Sequence, residues 1–149
     1  MPETPCFQPA DAAYAERVRA SFARQSVMIS LGASIVRIDA GEVELAMPYQ
    51  PAFCQQHGFL HAGTVATVLD SACGYAAYSL MPADAAVLSI EFKINLLAPA
   101  KGDHFRFVGQ VVKAGRTISN VRGHAYGGDK LIATMDATMM TLRDRALSG

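Results

Sequence analysis

The stretch from His61 to Leu80, HAGTVATVLDSACGYAAYSL, carries one acidic residue, Asp70, among small and apolar neighbours. A carboxylate in such surroundings costs several kcal/mol unless it is hydrogen-bonded or has a reaction to serve. The chemistry open to it is general-base or nucleophilic attack. Upstream lies a second candidate, the start of the same segment. The first backbone N–H groups of a helix are unpaired and sit at its positive end, so Ala62 and Gly63 offer donors to an anion or a developing oxyanion. Their small side chains let a ligand come close. His61, at the boundary, either bonds to the preceding loop or takes part in the site, and the sequence leaves both readings open.

These residues need a helix to hold them. Gly58 interrupts any helix upstream, and no proline falls between His61 and Leu80, which permits about five turns. At about 100° per residue, Val65, Val68, Leu69, Ala72 and Ala76 form one apolar stripe. Gly63, Ala66, Thr67, Asp70, Gly74 and Ala77 form the opposite face. Such a helix is expected to be buried, and its glycines favour close contact over helix propensity. Ala62 and Asp70 are eight residues apart, about 12 Å along a helix. One carboxylate cannot act on a carbonyl held at the start of its own helix. If both serve one reaction, Asp70 comes from a second copy of the chain, and a two-fold dimer has two equivalent composite sites.

The rest of the chain supplies a sheet. Asp11 is expected to cap a helix over AAYAERVRASFARQ, with Tyr14, Val18 and Phe22 on one face. A short turn or helix through Val27, Met28 and Leu31 ends at Gly32. Segments 34–39 and 42–47 alternate around Ala40-Gly41, a hairpin signal. After the central helix come four strands, 87–97, 104–112, 116–126 and 131–142. In the first of these Leu88, Ile90, Phe92, Ile94 and Leu96 alternate with Ser89, Glu91, Lys93 and Asn95. The pattern predicts an α+β fold, an antiparallel sheet around one long helix with an N-terminal helix beside it. It is expected to form a single domain over 1–149, loosely ordered over 1–10 and 143–149. A sheet of that size leaves edges uncovered, and 51% of the 149 residues are hydrophobic, so association with further copies is expected.

Other chemistries lack support. Thirteen basic and thirteen acidic residues cancel, which argues against a nucleic acid or membrane partner. No apolar run reaches transmembrane length, and no signal peptide is evident. Cys6, Cys54 and Cys73 lack metal-ligand spacing and read as reduced thiols of a cytoplasmic protein. His57 and His61 enclose no carboxylate and are separated by Gly58, so no metal or other cofactor is expected. There is no GxSxG elbow, P-loop or GxGxxG. Met135, Met139 and Met140 read as core filler.

HAGTVATVLDSACGYAA resembles the HGG-x₆-D signature of hotdog-fold thioesterases of the phenylacetate-degradation (PaaI-like) type. LSIEFKINLLAPAKGD, VVKAGRTISNVRGHAY and DKLIATMDATMMTL resemble that family's following strands. The resemblance covers roughly residues 28–142 and implies a sheet wrapped around a central "sausage" helix. It implies hydrolysis of an acyl-coenzyme A thioester, with Asp70 as general base or nucleophile and the Ala62 N–H helping to bind the thioester carbonyl. The family's asparagine six residues before the histidine is Gln55 here, which orients substrate or water. The strand serine that assists the water in some members is Ser89. The second position of the signature, usually glycine, is Ala62, one methyl larger. A homodimer, pairing into a tetramer, is the expected assembly. Lys93, Lys113, Arg116 and Arg122 are the basic residues considered for the coenzyme A phosphates. Two alternatives remain: a non-catalytic binder of acyl or aromatic ligands, and an acyl-thioester dehydratase, whose proline-rich HFP-type segment is absent.

Overall fold

The computed structural model describes residues 5–143; of the ends expected to be loosely ordered, 1–10 and 143–149, residues 1–4 and 144–149 lie outside the described residues. Two short helices, α1 (Tyr14–Ala23) and α2 (Ser26–Leu31), lead into the hairpin β1 (Ser34–Asp39) and β2 (Glu42–Pro48). A loop with one 3₁₀ turn, Pro51–Phe53, enters α3 (Ala62–Tyr78). Four strands follow: β3 (Ala86–Leu96), β4 (His104–Ala114), β5 (Ile118–Gly127) and β6 (Lys130–Leu142). They form one sheet in the order β1-β2-β4-β5-β6-β3, and every pairing is antiparallel. The sheet curls around α3, giving the expected α+β hotdog architecture.

The apolar stripe of α3 is the centre of the core. Val65, Val68, Leu69, Ala72 and Ala76 are all buried against Leu45, Phe105, Phe107, Val121 and Met135 from the strands. Two strand glycines set how closely helix and sheet approach. Gly109 of β4 and Gly123 of β5 are cross-strand partners. A Cβ on Gly109 would lie 2.4 Å from the Ala72 carbonyl oxygen, and one on Gly123 would lie 2.8 Å from the Cys73 sulfur. No other residue lets the helix backbone lie against the sheet at this row.

Two local expectations need correction. Asp11 does not occupy the N-cap of α1, which is Ala13. Its side chain instead accepts from the Ala13 N–H at 3.0 Å and pairs with Arg17 at 3.1 Å, so it braces the turn before the helix. The strict alternation of β3 is broken by a bulge between Ser89 and Glu91. Because strand side chains have a period of two, one extra residue exchanges the faces. Ser89, opposite the buried Met139, therefore shares the helix-facing side with Phe92 and Ile94, which lie opposite Ala137 and Met135. Leu88 turns to the outer side. The expected uncovered edge is present: β3 is an edge strand, and Leu88 is 47% exposed, Ile90 50%, Phe92 42% and Leu96 54%.

Candidate active site

The entrance to α3 is shaped by the loop before it. Gln55 folds this loop on itself: its backbone N–H donates to the Phe59 carbonyl at 2.9 Å, and its side-chain oxygen accepts from the N–H groups of His57 and Phe59. The Gln55 NH₂ donates to no protein group among the described residues. Gly58 adopts φ +85°, the left-handed turn that reverses the loop. His61 is the N-cap, and its Nδ1 accepts from the Gly63 N–H at 2.8 Å. Thr64 and Val65 donate to the His61 carbonyl.

Of the two helix-start donors expected from the sequence, Gly63 is thus already occupied. The Ala62 N–H has no protein acceptor among the described residues. Ala62 and Gln55 line one cavity of about 510 Å³, whose other walls are mostly apolar, including Phe59, Val65 and the 96–100 segment. The Ala62 N–H and the Gln55 NH₂ are donors without a protein acceptor among the described residues, suited to hold a carbonyl oxygen as charge develops on it.

Asp70 lies in a different cavity, of about 260 Å³. It is half-buried, and the Ser89 hydroxyl donates to its Oδ1 at 2.8 Å. Burial pushes the carboxyl above its ordinary range, and the Ser89 hydrogen bond offsets part of that rise. The bulge in β3 makes this pair possible, since regular alternation would turn Ser89 away from the helix. The same cavity is walled by residues the sequence reading did not single out. From α1 and the α1–α2 link come Ser21 and Gln25, and from α3 come Ser71 and Tyr75. Ser71 donates to the Gln25 side-chain oxygen at 2.9 Å, and the Ser21 and Tyr75 hydroxyls lie 3.2 Å apart. The Phe22 ring stands edge-on to Tyr75, centroids 5.9 Å apart, which fixes α1 over this half of α3. One signal in the sequence marked two of them: Ser21 and Gln25 are polar residues four apart in the segment expected to form the first helix.

The six expected site residues fall into two groups. Gln55, His61, Ala62 and Gly63 cluster at the start of α3, and Asp70 and Ser89 meet near its middle. No described cavity holds members of both. Cys73 belongs to neither: burial, reinforced by the Asp70 and Asp136 charges, pushes its thiol far up and leaves it inert. Cys54 is half-buried, its sulfur 3.4 Å from the Gln50 carbonyl. Among the described residues no three of His, Cys, Asp and Glu come together as metal ligands.

A family model described as the thioesterase superfamily matches residues 57–133, just over half of the chain. The chain belongs to the thioesterase superfamily. A thioesterase family protein from Silicibacter pomeroyi, known from its crystal structure, is 57% identical to this superfamily member. The match covers 87% of this chain and 98% of that one, with a TM-score of 0.86. The PaaI protein of the E. coli phenylacetic acid degradation operon shares the fold at 19% identity, covering 89% of this chain and 96% of that one, with a TM-score of 0.82. A curated relative from Halobacterium salinarum, named provisionally as an esterase, is 33% identical over 93 residues, 59% of this chain and 61% of that protein. The thioesterase-superfamily chain spans about 62% and 61% of the lengths of the curated relatives it matches. The signature running from His61 to Asp70 lies within the residues that the thioesterase superfamily model matches.

Proposed function

We propose that this protein hydrolyses an acyl-coenzyme A thioester, in two equivalent sites built between the subunits of a homodimer. The observation that carries the reading is the division of one chain into two incomplete halves. The start of α3 offers the unpaired Ala62 N–H and the Gln55 amide, in a cavity whose described lining holds no carboxylate. The Asp70 cavity offers a base, oriented by Ser89, and holds none of the helix-start donors. About 12 Å of helix separates them, too far for one carboxylate to reach a carbonyl on its own Ala62. Pairing the Ala62 end of one protomer with Asp70 of the partner subunit completes the set. The uncovered edge of β3 supports the pairing, since a long apolar edge strand is expected to be covered.

In this reading the thioester carbonyl accepts from the Ala62 N–H, and Gln55 donates to the substrate or to water. The partner's Asp70, as general base or as nucleophile, attacks the polarised carbonyl. A base accepts the proton of the attacking water; a nucleophile forms an anhydride that water then opens. In either course the coenzyme A thiolate leaves and takes a proton. The hydroxyl-lined cavity beside Asp70 receives the acyl group, and its modest volume suits a short or compact acyl group better than a long alkyl chain.

Thiol release from a panel of short, aromatic and long acyl-coenzyme A substrates tests the hydrolysis. Complementation tests the shared site. Asp70→Asn and Ala62→Pro, carrying different tags, are co-expressed and the doubly tagged heterodimer is isolated. One of its sites collects both defects and the other collects neither, so about half the wild-type activity per dimer is expected. A folded heterodimer with no recovered activity rejects the composite site.

A further inference from the structure

The four basic residues considered from the sequence lie away from the Ala62 cavity. Lys93 and Arg122 stand opposite Asp136 across the strand ladder, and Lys113 closes the far end of β4. Arg116 borders a small cavity at the C-terminal end of α3. A different pair is better placed. A second cavity, of about 490 Å³, is lined by Tyr49, His57, Gly58, Phe59, Lys101 and Asp103. It shares the Phe59 wall with the Ala62 cavity, and Ala100 of that cavity directly precedes Lys101. Its shape is braced. The Tyr49 hydroxyl donates to the Gly58 carbonyl at 3.0 Å, and the Tyr49 N–H donates to the Asp103 carbonyl at 2.8 Å. Lys101 and His57 make no side-chain ion pair or hydrogen bond among the described residues. One acidic side chain, Asp103, lines the same cavity.

We infer that Lys101, with His57, holds the phosphate-bearing nucleotide end of coenzyme A, and that the pantetheine arm runs from there past Phe59 along the apolar 96–100 wall to Ala62. This rests on the acyl-coenzyme A reading above and gives it a direction: the carrier lies on the Ala62 subunit, the acyl group on the Asp70 side. An ammonium and an imidazole facing one open cavity, neither engaged elsewhere, match a multiply charged phosphate ligand. The apolar walls between them and Ala62 match an uncharged arm. Asp103 opposes the anion and moderates the affinity.

Equilibrium binding of desulfo-coenzyme A and of pantetheine to the purified full-length protein tests this directly, without turnover. Lys101→Glu is expected to weaken desulfo-coenzyme A by roughly tenfold or more, leave pantetheine unchanged, and lose most of the salt dependence of binding. Lys101→Arg is expected to retain affinity, Asp103→Asn to raise it, and Lys113→Glu, at the far end of β4, to change nothing. Unchanged desulfo-coenzyme A binding in Lys101→Glu, or an equal loss of pantetheine, overturns the assignment. So does wild-type protein that binds desulfo-coenzyme A no more tightly than pantetheine, even if it hydrolyses an acyl-pantetheine thioester; the hydrolase reading then survives. Conversely, Lys101-dependent binding in a protein that releases no thiol from any acyl-coenzyme A keeps this subsite and rejects the hydrolase reading.

Discussion

The two ends of the chemistry on α3 differ in kind. At its start, the useful group is a backbone N–H, exposed because helix geometry leaves it without a partner. Near its middle, the useful group is a side chain, Asp70, whose surroundings hold it against its preference for water. The first half depends on a loop, through Gln55, Gly58 and the His61 cap. The second depends on packing from distant elements, α1 on one side and the β3 bulge on the other. One helix thus keeps its free N-terminal donor and its carboxylate apart, and the proposed homodimer is the arrangement that brings one of each together. Substitutions at each end sharpen or break that contrast.

The largest effect is expected at Asp70. Asp70→Asn is expected to lower kcat by about 10²–10⁴-fold, the usual worth of a general base, in steady-state thiol-release assays. The same variant has a stability signature. Burial raises the Asp70 pKa, so the folded chain binds this proton more tightly than the unfolded chain. The residue's contribution is then fully present below the ordinary carboxylate range and lost as pH rises through the raised pKa. At pH 7 the charge opposes folding, and Asp70→Asn is expected to melt higher than wild type. The difference fades in acid, as scanning calorimetry across pH would show. A variant that is active, or that melts lower at pH 7, contradicts the picture of a strained carboxylate.

Ala62→Pro comes next. Ala62 is the first helical residue, and His61 before it has φ −60° and ψ 142°, a conformation compatible with a following proline. The helix therefore tolerates the change while the N–H is removed. A loss of about 10²–10³-fold in kcat with an unchanged circular dichroism spectrum is expected. Wild-type turnover in the folded variant means that this N–H is not the oxyanion donor.

Ser89→Ala is expected to act more mildly and through pH. Its hydroxyl stabilises the charged form of Asp70, so its loss raises that pKa further. The acid limb of the kcat/KM profile should move to higher pH, with only a small change on the plateau. An unshifted limb separates Asp70 from the titration.

The smallest effect belongs to the cap. His61→Ala is expected to cost about 1 kcal/mol of stability in urea denaturation, as other lost N-caps do. Because Ala62 remains the free donor, kcat should stay close to wild type. A collapse of kcat without loss of stability would give His61 a direct part in the reaction.

The sequence alone determined the elements and their order, because these follow from short-range rules. The small and apolar residues of 61–80 specify a buried helix, Ala40-Gly41 specifies a hairpin, and the alternation of four later segments specifies strands. It also singled out Asp70, as a carboxylate that nothing nearby in the chain can satisfy, and the eight-residue offset from Ala62 followed from helix rise. What only the tertiary structure decided are relations between residues far apart in sequence. Ser89 reaches Asp70 because one extra residue in β3, set by its register against β6, exchanges the faces of that strand. Ser21 and Gln25 wall the Asp70 cavity because Phe22 packs on Tyr75, more than fifty positions away. Gly109 and Gly123 come into register only when β4 pairs with β5, and their missing side chains then let α3 lie against the sheet. The choice between Gly63 and Ala62 turned on the His61 rotamer. Each of these is set by long-range pairing and close packing, which local periodicity does not encode.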